Sequence, residues 1–178
     1  MPRLAGPVNR AATGGNDEVS AACCCVRPCN SGRRPGPGSA VPTKLFASAS
    51  EVEAALAKAK AEHRGDNTNT AIVLVSVGPY PVQLEYRTGT TAPSVHKGRA
   101  ELIYVEDGGC TLVTGGRLEG AKEGAGGNMS GTSITGGSSR KVAKGDYVLV
   151  PPDTPHQYTD VQGTFVSVTL HMPMTAGQ

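Results

Sequence analysis

The chain has 178 residues, a net charge of +2 at neutral pH, no Trp, two Phe, 24 Gly and 13 Pro. That length suits one domain with a real core, which must rest on Val, Leu, Ile and Ala, and the Gly and Pro content calls for frequent turns. No run approaches the roughly 20 apolar residues of a membrane span, and a near-neutral body has no electrostatic footprint for nucleic acid.

Residues 1–43 carry the basic excess, five Arg against Asp17 and Glu18. Stretches such as GPVNRAATGGND and NSGRRPGPGSAVP are rich in Gly, Pro, Arg and Ser and show no apolar period, so this segment is expected to be a disordered tail. No apolar h-region of about 7–15 residues stands near Met1. The default expectation is therefore a soluble, cytoplasmic protein. Four cysteines fall in CCCVRPC, Cys23 to Cys29. Structural zinc usually needs two ligand pairs separated by a loop, and no second pair stands near this cluster, so it reads as incidental. Cys110 follows a Gly-Gly pair and reads as a small buried hydrophobe.

The domain is expected over 44–178, opening with one helix at about 50–64, SEVEAALAKAKAEHR. Ser50 and Glu53 have the spacing of a capping box, Ala dominates, and the early Glu and late Lys suit the helix dipole. Its apolar face, Val52, Leu56 and the alanines, is thin, which predicts a helix lying on the outside of something else. His63, in the polar last turn, reads as solvated.

From about residue 70 to 173 the period changes to that of strands: AIVLVSV, PVQLEYR, APSVH, AELIYV, CTLVTGG, SRKVAKGDYVLVPP, HQYTDV and TFVSVTLHM. Short strands with turn signals between them indicate an all-β sandwich or barrel, and without a second helix a parallel βαβ architecture is disfavoured. In PVQLEYR either face can line a pocket, the polar Gln83, Glu85 and Arg87 or the apolar Val82, Leu84 and Tyr86. The Gly-rich stretch 115–139 is too long and irregular for a tight hairpin. It reads as a lid over a site or as a solvated insertion.

Two histidine-bearing stretches carry the chemistry. In SVHKGRAELIYVEDGG, His96 and Glu101 are five apart, a spacing that puts side chains on opposite faces of a straight strand. A turn at Lys97–Ala100 breaks that parity, so both can point inward, with Ile103 and Val105 on the Glu101 face. A carboxylate among apolar neighbours is costly unless it is paired or metal-bound. In KGDYVLVPPDTPHQY, Gly145–Asp146 reads as a turn, Tyr147–Val150 as a strand and residues 151–155 as a rigid proline corner that sets His156 at the start of the next strand. Tyr158 shares the His156 face. His171 lies on the last strand and reads as a rim or surface residue, while Lys97 and Tyr104 read as outside.

These two stretches resemble the paired motifs of the cupins. His96, four residues, Glu101, six residues and Gly108 match the first motif; Gly145, Pro151 and His156 match the second. Ser94 stands where the first motif has its other histidine, Thr88 where it has its opening glycine, and Asp153 and Asp160 where the second motif has glycine and asparagine. The resemblance covers about 82–171 and implies a single cupin barrel, a double-stranded β-helix or jelly roll. It implies one divalent metal ion (Fe, Mn, Ni or Zn) held by His96, Glu101 and His156, with a weak or water-mediated contact from Ser94. It further implies a small-molecule substrate, dioxygenase-type oxidation as the leading chemistry, and Tyr158 and Glu85 as candidate acid–base residues. The alternatives are a metal-assisted isomerase or lyase, and a non-catalytic small-molecule-binding barrel. Covering of an edge strand by a second copy makes a homodimer an expectation as well.

Overall fold

The computed structural model describes residues 42–65 and 68–174. Most of the expected tail and the Cys23–Cys29 cluster lie outside the described residues. Pro42 is already tied to the barrel through its carbonyl, which accepts from the Ser76 hydroxyl, and Lys44 makes an isolated antiparallel bridge with Ser76.

Helix α1 spans Ala49–Glu62. Its capping box is one turn fraction earlier than the sequence spacing suggests. Ser48, not Ser50, is the N-cap; its hydroxyl accepts from the Glu51 N–H, and the Glu51 carboxylate accepts from the Ser48 N–H at 2.8 Å. Both pairs have the right residue types at the right spacing, and Ser48 wins because its backbone is extended (φ −71°, ψ 163°). Such a cap contributes about 1 kcal/mol. The buried stripe is Ala55 and Ala59, packed on Leu74, Leu84, Tyr86 and Val166. Small side chains let the helix lie close on the outer face of a sheet. His63 is not a plain solvated residue: its ring nitrogens bond the hydroxyls of Thr70 (3.1 Å) and Thr88 (2.7 Å), and its ring meets Tyr86 edge-on.

Among the described residues twelve strands follow: β1 Asn69–Val77, β2 Tyr80–Arg87, β3 Ser94–His96, β4 Arg99–Thr114, β5 Arg117–Glu119, β6 Lys122–Glu123, β7 Asn128–Ser130, β8 Ser133–Thr135, β9 Ser138–Ala143, β10 Tyr147–Val150, β11 His156–Thr159 and β12 Phe165–Pro173. The long strand β4 organises them. Its first half runs between β12 and β10, in a sheet completed by β2 and β1; its second half runs between β9 and β11, in a sheet that continues through β3, β7 and β6. One strand shared by two sheets folds the layers over a common interior. All pairings are antiparallel.

The bend in β4 needs Gly108. Its φ is +77°, and a Cβ there would sit 2.0 Å from the Thr164 carbonyl oxygen, so both dihedral preference and space require glycine. Ile103, Val105, Cys110, Leu112, Val142, Val150, Tyr158 and Phe165 fill one end of the interior. Each large aliphatic among them contributes about 1.5–3 kcal/mol by leaving water. Cys110 is buried as the sequence suggests.

The Gly-rich stretch is neither irregular nor unpaired. It folds into a separate β5–β8 hairpin and a β6–β7 pair joined by a short turn at Ala125–Gly127. Strand β7 then pairs with β3, which brings this insertion against the histidine-bearing strands. The sequence reading did not show these short strands, because glycine lowers strand propensity without forbidding strands two or three residues long.

Candidate metal centre and cavity

The Lys97–Gly98 turn reverses the chain between β3 and β4, so His96 and Glu101 face one another across it. The Glu101 carboxylate is buried (3 % exposed), with Oε2 3.6 Å from His96 Nε2 and 3.0 Å from His156 Nε2. His156 opens β11 directly after the proline corner. That corner is tied to the turn: the Asp153 N–H donates to the His96 carbonyl (3.3 Å) and its Oδ1 accepts from the Gly98 N–H (3.1 Å). Asp153 occupies the glycine position of the second motif with φ +57°. Aspartate is among the few non-glycine residues that tolerate this region, so the departure keeps the backbone and gains a latch.

Ser94, where the first motif has its other histidine, places its hydroxyl 3.2 Å from His156 Nε2. A further imidazole comes from elsewhere. His171, expected at the rim, pairs across the sheet with Glu101. Its Nε2 is buried without a hydrogen-bond partner, 3.8 Å from Glu101 Oε1, and its ring is 4.2 Å from that of His96. Donor atoms of His96, Glu101 and His171 lie within 4.8 Å of one another. The spacing rules contain no signal for His171. Strand parity does: on FVSVTLHM the alternate residues Ser167, Thr169 and His171 put polar groups on one face.

The tautomers of two histidines follow from what stands behind them. Arg99 can only donate, and its Nη2 bonds Asn128 Oδ1, so the atom there is the oxygen. That oxygen only accepts, so His96 Nδ1, at 2.8 Å, carries its proton. The Thr154 carbonyl likewise fixes the proton on His156 Nδ1 at 3.2 Å. Both Nε2 atoms, bare in the neutral rings, therefore converge with an anionic carboxylate.

Such convergence is stable only around a cation. In the ion-free protein a proton takes that role. Burial works against charge on His156, but the bond to Glu101 and its negative charge outweigh burial and raise the pKa. For Glu101, burial favours the neutral acid, yet the His156 bond and the charges of His156, His171 and His96 hold the carboxyl well below its usual range. His96 is lowered, chiefly by burial, which favours its neutral, ligating form. The donor set of imidazoles and one carboxylate suits Fe, Mn, Ni or Zn.

Strands from both motifs thus stand side by side in a two-sheet barrel, with His96, Glu101 and His156 turned into its interior. This is the cupin fold. A cavity of about 190 Å³ opens on the cluster, and Glu85, Arg87 and Tyr158 line it as well. The polar face of β2 therefore faces inward and its apolar face lies under α1, because this end of the interior is the site and the helix supplies the second core. Arg87 is buried with Nη1 on the Ser167 hydroxyl (3.0 Å) and Nη2 on the Glu85 carboxylate. Its guanidinium lies 4.0 Å from the Tyr158 ring centroid. Glu85 is locked in this ion pair, which does not suit it to the role of a free base. Tyr104 lies on the outside against Tyr147, and Lys97 is exposed, as expected. A second hollow, lined by Tyr80, Gln83, Arg99 and Asn128, also touches His96 and His171.

No family model matches the sequence, and no curated protein matches it. Solved structures resemble the fold. TT1209 from Thermus thermophilus is 14% identical with a TM-score of 0.48 over 67% of this chain and 95% of its own. KdgF from a Halomonas species is 12% identical, TM-score 0.45, over 64% and 87%. The polyketide cyclase RemF from Streptomyces resistomycificus is 16% identical, TM-score 0.42, over 63% and 69%. No activity is carried across at these values. Among the described residues no helix is long and apolar enough to cross a membrane.

Proposed function

We propose that this protein is a cupin that binds one divalent metal ion through His96, Glu101 and His156, with His171 as a further ligand, and uses it to oxidise a small organic molecule with O₂. The observation that carries the reading is the convergence of imidazole nitrogens on a buried carboxylate, with the Nδ1 protons of His96 and His156 committed to oxygens behind them. A bound metal would supply Lewis acidity and open coordination positions for the reactants. The chain's own residues do the rest. Asn128 and Thr154 orient the rings, and Ser94 adds a hydroxyl beside His156.

Isomerase or lyase chemistry needs a positioned group that exchanges protons near neutral pH. Neither sequence candidate suits that role. Burial, and then the Glu101 charge, push the Tyr158 hydroxyl well above its ordinary pKa, so it keeps its proton, and Glu85 is tied to Arg87. Oxidation at a metal makes no such demand, which favours it.

Elemental analysis of the purified protein tests the site. About one equivalent of metal is expected in the wild type and a large loss in Glu101→Ala and His156→Ala. His171→Ala should lose metal too, against the rim role that the sequence suggests. Equal metal content in the wild type and all three variants would overturn the reading. A metal-loaded protein that never consumes O₂ with any oxygenated acid, alcohol or phenol would leave a binding barrel instead of an oxidase.

A further inference from the structure

The cavity wall beside the ligand cluster holds hydrogen-bond donors with nothing to donate to. The Tyr158 hydroxyl is buried and has no partner; the same holds for Arg87 Nε, on a guanidinium whose other nitrogens are engaged by Ser167 and Glu85. Both residues line the 190 Å³ cavity. Arginine has no acceptor atom, and the tyrosine hydroxyl carries one O–H donor. Buried donors of this kind call for an acceptor supplied from outside the chain.

Charge points the same way. Arg87 and Glu85 cancel. Glu101 offsets one of the two charges of a divalent ion, and neutral imidazoles offset none. With metal in place, the buried groups sum to a single positive charge. A monoanion in the cavity neutralises it, whereas a dianion overshoots and a neutral molecule leaves it buried, which is costly. Space narrows the choice further, since the cavity is below the roughly 300–1,000 Å³ of ordinary ligand pockets. His156 and Tyr158 stand two apart on β11 with ring centroids 6.3 Å apart, so one short molecule can reach from the metal side to the Tyr158 hydroxyl.

We infer that the substrate is a small monocarboxylate bearing a second oxygen, a short hydroxy or oxo acid, whose carboxylate accepts from Tyr158 O–H and Arg87 Nε–H while its other oxygen faces the metal ligands. The inference rests on the metal reading above and adds to it the class of molecule that the cavity selects.

Zinc, which is redox-inert, gives the test without turnover. The full-length protein is loaded with zinc, its zinc content is measured, and lactate and lactamide, an acid and its neutral amide of nearly equal size, are titrated in by calorimetry. Lactate is expected to bind one per zinc and at least about tenfold tighter than lactamide. Tyr158→Phe, which removes one oxygen and leaves the ring on Arg87, is expected to weaken lactate about tenfold, in line with a hydrogen bond to a charged group, with zinc content and melting temperature retained. Equal affinities for lactate and lactamide, an unchanged lactate affinity in Tyr158→Phe, or phosphate binding more tightly than lactate would each overturn the inference while zinc binding stands. Failure to take up zinc at all would instead overturn the metal reading beneath it.

Discussion

Replacing Asn128 by Leu removes the acceptor behind His96 while keeping a side chain of similar size. In the native protein Oδ1 receives the His96 Nδ1 proton at 2.8 Å and an Arg99 N–H. Losing it frees the ring to rotate and lets the proton move to Nε2, where it blocks the ligand position. Outer partners of metal-bound histidines are typically worth 10–100-fold in affinity, or about 1.4–2.8 kcal/mol. The His96 side chain is 16% exposed, so water can partly replace the amide, and the lower part of that range is expected, about 10–30-fold. Asn128→Asp keeps an acceptor for both donors and should hold zinc at least as tightly as the wild type. Competition with a chromogenic chelator reads both values. An unchanged zinc affinity in Asn128→Leu, in protein with a native circular dichroism spectrum and melting temperature, would refute the assignment of the proton and of the amide's role.

Two further outcomes follow from other parts of the molecule. Gly108→Ala forces a Cβ to within 2.0 Å of the Thr164 carbonyl at φ +77° and should cost on the order of 2–4 kcal/mol, read as a lower urea midpoint; a cost within about 0.5 kcal/mol, the range of ordinary surface substitutions, would contradict the packing at the β4 bend. Stability of the metal-free protein should depend on pH in a defined sense. His156 is raised above its ordinary 6.5, so its contribution is complete below that value and fades as pH climbs through the folded pKa. Glu101 is lowered from 4.5, so its contribution is complete above 4.5 and fades in acid. The melting temperature of the metal-free protein should therefore peak in the weakly acid range between those values and fall toward alkaline pH, whereas zinc should abolish the alkaline fall by replacing the proton at Nε2. A metal-free profile flat from pH 5 to 9 would contradict the pairing.

The sequence carried the barrel and much of its centre because both are written in local signals. Alternation marks the strands, and Gly108, Gly145 and Pro151 hold fixed offsets from His96, Glu101 and His156. What it hid depends on pairing between distant segments. His171 reaches Glu101 only because β12 inserts beside β4, and Asn128 reaches His96 only because β7 adds to β3. The inward face of β2 was ambiguous for a related reason. Apolar residues normally mark the inside, but here α1 covers the outer face, so Leu84 and Tyr86 are buried there while Glu85 and Arg87 are buried within. His63 misled in the same way, since its partners, Thr70 on β1 and Thr88 just after β2, are ones that the helix sequence cannot reveal.

The position of β12 has a consequence for synthesis. This strand, Phe165–Pro173, lies between β2 and β4 in the middle of its sheet, although it is translated after both of them. Before it emerges from the ribosome, β2 and β4 have no contact along that seam, and Glu101 faces an open gap where His171 will stand. Ordering of the nascent barrel must therefore wait for residue 173, as expected of a topology dominated by distant pairings, and a stalled or shortened translation product would be left with an uncovered strand edge.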